Sequence, residues 1–275
     1  MRRLIVGIAF SGLLLAACSS GGAVFPRIVS SPGSVGVGVQ RVMVALTDFE
    51  TGESLAAPDI EIVATLRDGI GSPLGEYKGE FFWLVPEVRG LYAFYMDIPG
   101  PGTFQITMDA GRLGQLGPLG LVTVDDPLVV SPGDEAPRSE TRTSADVDLA
   151  DLTSDPTPDP SFYELTVAEA VESGPSVIIF GTPAWCTSQA CGPVLDQVKE
   201  VSAGFPSLNY VHVEVYENIH VSSFDELILV PSVAEWRLPS EPWVFVTDAD
   251  GVVFASFEGA ASHDELSRAF EAVSR

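Results

Sequence analysis

The sequence predicts an all-β sandwich followed by an α/β domain. Three observations lead to this: alternating apolar residues in the first half, a change to helical and continuous apolar patterning after Phe162, and an acidic, Pro-rich stretch between them. In the first half Val42, Val44 and Leu46 alternate with polar or smaller residues. Ile60, Ile62, Ala64 and Leu66 do the same in IEIVATL, and Phe104, Ile106 and Met108 in TFQITM. GLYAFYMDIPGPGTFQITMDA reads as two strands joined by a Gly-Pro turn. Short strands at roughly ten-residue spacing, with no helical segment, predict a sandwich over residues 24–127. GRLGQLGPLG, Gly111 to Gly120, is too short for collagen and lacks the strand-to-helix context of a dinucleotide loop, so it is expected to be a flexible loop.

Residues 128–160 hold five prolines and eight acids against two arginines and show no apolar period, which predicts a linker. Residues 161–275 form the second domain. Thr166 to Glu169 is a capping box that opens a helix ending near Gly174, and Val177 to Phe180 is a continuous run expected of a buried parallel strand. A helix from Pro193 to about Ala203 follows, then a strand over Tyr210 to Val215 and a helix around Ser232 to Arg237. Strands over Trp243 to Thr247 and Val252 to Phe257 flank an Asp-Gly turn, and Ser262 to Glu265 caps a last helix whose inner face is Leu266, Ala269, Phe270 and Val273. Asp248 and Asp250 begin like a calcium loop but lack its distant glutamate, and the hairpin turn explains them.

The N-terminus sets the compartment. Arg2 and Arg3 precede an apolar run, Leu4 to Leu15, that is too short to span a bilayer stably, and Ala16 and Ala17 stand before Cys18. LAAC followed by SSGG resembles the lipobox of bacterial lipoproteins. That resemblance implies removal of residues 1–17 as a signal peptide, a diacylglycerol on Cys18, a tether over residues 18–23, and an extracytoplasmic chain anchored to the cell membrane or outer membrane. With 38 Asp and Glu against 14 Lys and Arg, a formal charge of −24 argues against nucleic acid or anionic lipid as a partner. It fits a solvated, self-repelling surface.

Of three cysteines, Cys186 and Cys191 remain as an even pair, and outside the cytoplasm such a pair is expected to be oxidised. Residues five apart on a regular helix have Cα atoms at roughly 8.6 Å, beyond disulfide reach, so one helix cannot hold both. Pro193, which favours a first helical position, places the helix after Cys191 and both thiols at or ahead of its N-terminus. The gap therefore predicts a bridge made by irregular backbone.

Resemblances give these residues expected roles. The first half is similar to immunoglobulin-like modules of extracytoplasmic bacterial proteins in its tyrosine-rich strand, turn and final strand, and no site residues come with that likeness. Residues 162–275 resemble the thioredoxin-like superfamily, VIIFGTPAWC matching its strand-to-active-site run and LPSEPWVFVTDADGVVFASFEG its cis-proline strand, turn and following strand. The resemblance implies a thioredoxin-like α/β fold, thiol-disulfide exchange with extracytoplasmic protein thiols or disulfides, Cys186 as attacking and Cys191 as resolving residue, and Pro242 as the cis-proline of the substrate site. Trp185, beside the thiol, is expected to shield a sulfur or to pack in the core. The gap of four residues departs from the family's usual two, and Phe180 stands where a buried acid often precedes the site. Proton transfer is then left to water or another group, with Glu241 as a candidate against its reading as a surface carboxylate.

TPAWCTSQACG also resembles the bacterioferritin-comigratory peroxiredoxins, which implies peroxide reduction as an alternative; Ile179 and Pro183 stand where that family has its pocket proline and threonine. No cofactor is required by the exchange chemistry. Cu(I) held by two thiolates and a histidine is a further alternative, for which His212, His220 and His263 are available and His220 is the freest. A non-enzymatic binding protein with a permanent disulfide is the remaining reading.

Overall fold

The computed structural model describes residues 23–275, so the expected signal peptide and the expected lipidation site Cys18 lie outside the described residues. Eight strands form the first half: β1 (Val24–Ile28), β2 (Gly38–Asp48), β3 (Val63–Arg67), β4 (Pro73–Lys78), β5 (Glu80–Val85), β6 (Arg89–Ile98), β7 (Gly102–Asp109) and β8 (Gln115–Thr123). They make two antiparallel sheets, in the orders β1-β2-β6-β5 and β4-β3-β7-β8. The core between them takes Val42, Val44 and Leu46 from β2, Tyr92, Phe94 and Met96 from β6, and Phe104, Ile106 and Met108 from β7. This is the period-two packing of facing sheets. The buried Tyr92 hydroxyl is within hydrogen-bond distance of the Ala57 and Ile60 carbonyls, at 2.9 and 3.1 Å.

The opposite face of the first sheet is buried as well. Met43 and Ala45 of β2, Phe82 and Leu84 of β5, and Leu91 and Ala93 of β6 belong to a second core shared with the C-terminal half. The uninterrupted apolar run VMVAL in β2 is the chemical signature of this two-sided burial.

Gly111 to Gly120, expected to be a flexible loop, is instead a short 3-10 turn over Gly111–Leu113 followed by most of β8. Its leucines decide this: Leu116 joins the sandwich core with Leu121, and Leu119 packs against it. Gly117 permits the tight pairing, because its φ is +95° and a Cβ there would lie 2.6 Å from the Ile106 carbonyl oxygen.

Residues 128–160, expected as a linker, form a strap packed onto the second half. Val129, Val130 and Ala136 are buried in its core. Backbone bonds Gly133 N to Val253 O (2.8 Å) and Val253 N to Asp134 O (2.9 Å) attach the strap beside residue 253. The strap continues through helix α1 (Leu149–Leu152), and Thr153 and Asp155 are buried. Its acids and prolines do not keep it in solvent, because its few apolar residues and its backbone find partners.

The second half contains α2 (Val167–Ser173), β9 (Ser176–Gly181), α3 (Cys191–Ser202), β10 (Asn209–Glu214), α4 (Pro231–Glu235), β11 (Trp243–Thr247), β12 (Val253–Glu258) and α5 (His263–Val273). Thr166 and Ser262 each form a complete capping box. The sheet order is β10-β9-β11-β12. Helices α3 and α5 fill the space between this sheet and the outer face of the sandwich through Val194, Val198, Leu266 and Phe270. Helix α2, the strap and the fully buried Trp236 cover the other face.

The fold class expected from the sequence, an α/β thioredoxin-like domain behind an immunoglobulin-like sandwich, is corrected here. Three four-stranded sheets make the chain mostly β, and among the described residues β9–β10 is the only parallel strand pair. An α/β class is built on a mainly parallel sheet. The run VIIF reports burial on both faces of β9, which lies between a parallel and an antiparallel neighbour.

One ion pair sits at the junction of the two halves. Arg41 of β2 donates to both Glu265 carboxylate oxygens (2.6 and 2.9 Å), and the Tyr95 hydroxyl donates to one of them (2.6 Å). The guanidinium also lies over the Phe82 and Phe257 rings, at 5.9 and 5.5 Å. Burial opposes ionisation of Glu265, but the charge and hydrogen bonds of Arg41, with help from Tyr95 and the Ser262 amide, outweigh it and hold the pKa at about 2. A depressed carboxylate pKa contributes stability above the unfolded value, here 4.5, which is lost as pH falls toward 2. Glu265→Gln should therefore destabilise the protein at neutral pH by about 3–5 kcal/mol, because it leaves Arg41 buried without its partner. It should also flatten the loss of stability below pH 4.5, as read by denaturant unfolding at several pH values.

Candidate functional site

Cys186 and Cys191 are joined by a disulfide with Cα atoms 6.0 Å apart. Helix α3 begins at Cys191, two residues before the expected start at Pro193, and Cys186 stands outside it in a turn. Pro193 occupies the third helical position, where its missing N–H has no intrahelical acceptor to lose. The turn is irregular: the Gln189 amide donates to the Cys186 carbonyl (3.2 Å), and Gln189 adopts φ +58°. That left-handed conformation costs a non-glycine residue about 1–2 kcal/mol.

The two sulfurs have different surroundings. Cys191 is 1 % exposed, its Cβ close to the end of β9 at Gly181. Cys186 is half-buried, and its Sγ accepts from the Cys191 amide (3.2 Å) and lies 3.2 Å from the Ser188 hydroxyl. Because the Cys191 amide is a first-turn N–H, it is free to serve the neighbouring sulfur.

Glu241 lies opposite. One of its carboxylate oxygens and both sulfurs lie within 4.8 Å of one another. The side chain is half-buried, and burial raises its pKa above the usual carboxylate value. The Glu241–Pro242 peptide is cis. Pro242, Cys191 and His212 converge on the end of β9, since a Cβ built on Gly181 would lie 3.9, 3.5 and 3.7 Å from them. Trp185 packs on the core containing Phe180 and Trp236 and donates its indole N–H to the Ile219 carbonyl (3.1 Å), which assigns it to packing.

Of the histidines, His212 borders this group at the end of β9, whereas His220 and His263 lie elsewhere. His212 is buried with Nδ1 2.7 Å from the Tyr163 hydroxyl, and burial pulls its pKa down to about 4. His220 pairs with Asp151 (2.9 Å), and His263 is exposed at the start of α5. Among the described residues, the cluster able to hold a metal ion is Cys186, Cys191 and Glu241.

Two features of the site were missed in the sequence. The first is Glu214, a carboxylate 4 % exposed at the end of β10. It accepts from the Ser154 amide (2.8 Å) and hydroxyl (2.7 Å), and the same hydroxyl accepts from the Ala184 amide (3.1 Å), so the strap braces the turn that leads into Cys186. The alternation of His212 and Glu214 within an otherwise apolar strand was the available signal. The second is the sandwich itself. Arg89 donates to the Ser188 carbonyl (2.8 Å) from the start of β6. A cleft of about 870 Å³ separates the two halves here, with Arg27, Glu53 and Glu87 on one wall and Thr187, Ser188 and Glu241 on the other.

No protein-family model and no curated protein sequence matches the chain. Among solved structures, a filamin domain of Lin-41 is similar with 14 % identity and a TM-score of 0.25, over 37 % of this chain and 93 % of that one. The TIG domain of human nuclear factor of activated T-cells, cytoplasmic 4, is similar with 16 % identity and a TM-score of 0.25, over 38 % of this chain and 90 % of that one.

Ser154→Ala removes one bond to Glu214 and the acceptor of the Ala184 amide. It should destabilise the fold by about 1–3 kcal/mol in denaturant unfolding. It should also increase amide hydrogen exchange at Ala184 more than at residues of β2.

Proposed function

We propose that the chain is an extracytoplasmic, lipid-anchored thiol-disulfide oxidoreductase that works through Cys186 and Cys191. The observation that carries this reading is the asymmetry of the pair: a half-exposed sulfur supplied with two hydrogen-bond donors beside a buried one. Donors at a helix N-terminus favour a thiolate, the attacking species in exchange. In the reducing direction, the Cys186 thiolate attacks a substrate disulfide, one substrate sulfur leaves as thiolate, and a mixed disulfide forms on Cys186. Glu241 then takes the proton of Cys191. The Cys191 thiolate attacks the Cys186 sulfur, the second substrate sulfur leaves, and the protein disulfide is restored as the substrate is reduced. A carboxylate whose pKa is raised toward the working pH suits such a proton transfer. The cleft beside Ser188 and Glu241 offers room for a segment of a partner protein carrying the thiol or disulfide. Anchoring rests on the LAAC motif at Cys18, and no described helix is long and apolar enough to cross a membrane.

Cys191→Ser should accumulate mixed disulfides with extracytoplasmic proteins, visible on non-reducing gels, whereas Cys186→Ser should not. The wild-type pair should have a reduction potential above about −300 mV. A lower potential with no trapped partner would identify an inert staple instead.

A further inference from the structure

We infer that the reduced protein binds a zinc ion through Cys186, Cys191 and Glu241. The three donor atoms already lie within 4.8 Å of one another while the sulfurs are joined. Zinc bonds of about 2.3 Å to sulfur and 2.0–2.2 Å to a carboxylate oxygen in tetrahedral geometry place these donor atoms roughly 3.5–3.8 Å apart. Breaking the disulfide lets the sulfurs separate toward that spacing, and Thr187, Ser188 and Gln189, all exposed, can supply the slack.

The chemistry of the donors selects the metal. Two thiolates and a carboxylate form a borderline set that suits Zn²⁺, whereas Cu(I) prefers soft sulfur and gains little from Glu241. A histidine that would shift the balance is absent from the cluster. On reduction, up to three negative charges gather in one partly buried cluster. A dication removes that repulsion and displaces the remaining protons. Three protein ligands leave one tetrahedral position open. The disulfide and the metal exclude each other, so zinc would bind only the dithiol and shield it from oxidation. This inference does not rest on the oxidoreductase reading, because it requires only that both thiols are free in the folded chain.

The test uses the full chain reduced with a phosphine, freed of reductant under anaerobic conditions and titrated with zinc against a chromophoric chelator. Thiols are counted in a parallel sample. One equivalent should bind to the reduced protein and none to the oxidised protein. Cys191→Ser should abolish uptake, and Glu241→Gln should weaken zinc binding by about tenfold or more while leaving Cu(I) binding unchanged. A folded protein with two countable thiols that takes up no zinc would overturn the site and leave the exchange function intact. Equal zinc affinity in wild type and Glu241→Gln would remove Glu241 from the site. Failure to free the thiols in the folded protein would overturn the zinc site and the exchange function together.

Discussion

Burial of both faces of the sheet β1-β2-β6-β5 is the constraint on which the remaining structure depends. One face closes the sandwich core and the other closes the core beneath α3 and α5. At about 25 cal/mol per Å² of apolar surface, exposing either face would cost far more than a surface contact contributes. The two halves therefore share a structural layer, and the halves of such a molecule are not expected to behave as beads on a string. Arg41 is placed where that layer meets α5. Its guanidinium is useful there because it can satisfy Glu265 in bidentate fashion while its planar face rests on two aromatic rings.

This shared layer explains how a sandwich with no reactive side chain of its own comes to border the cysteines. Helix α3 is held from the sandwich side by the Gln197 amide bonded to the Trp83 carbonyl (3.2 Å), and the turn before it by Arg89. The strap holds α3 from elsewhere, with Lys199 paired to the buried Asp155 at 2.9 Å. The helix whose first amide serves Cys186 is thus fixed along its length, while residues 187–189 remain exposed.

Local signals were legible in the sequence because they depend on neighbours within a few residues. The caps at Thr166 and Ser262, the buried run of β9 and the exclusion of Cys186 from a regular helix all follow from local geometry. What was not legible depends on partners far along the chain. The strand in GRLGQLGPLG needs β7 beside it, the strap needs β12 and α2, and the burial of Met43 and Ala45 needs α5 and its surroundings. The fold class failed for a related reason: helix and strand segments can be recognised one by one, but the direction of each pairing is a tertiary fact. For Glu241 the sequence left a site role and a surface role side by side, because nothing in PSEPW discloses that the chain folds it toward two sulfurs.

Glu241 also shows why the site is not reducible to its cysteines. A carboxylate free in water beside a disulfide would remain ionised and contribute little at that distance, since solvent screens it. Partial burial changes this by making its charge costly, so the group gains from any event that supplies a proton or a cation. Reduction of the disulfide supplies the occasion for both, because it creates a thiol at Cys191 and a pair of sulfur ligands in the same step.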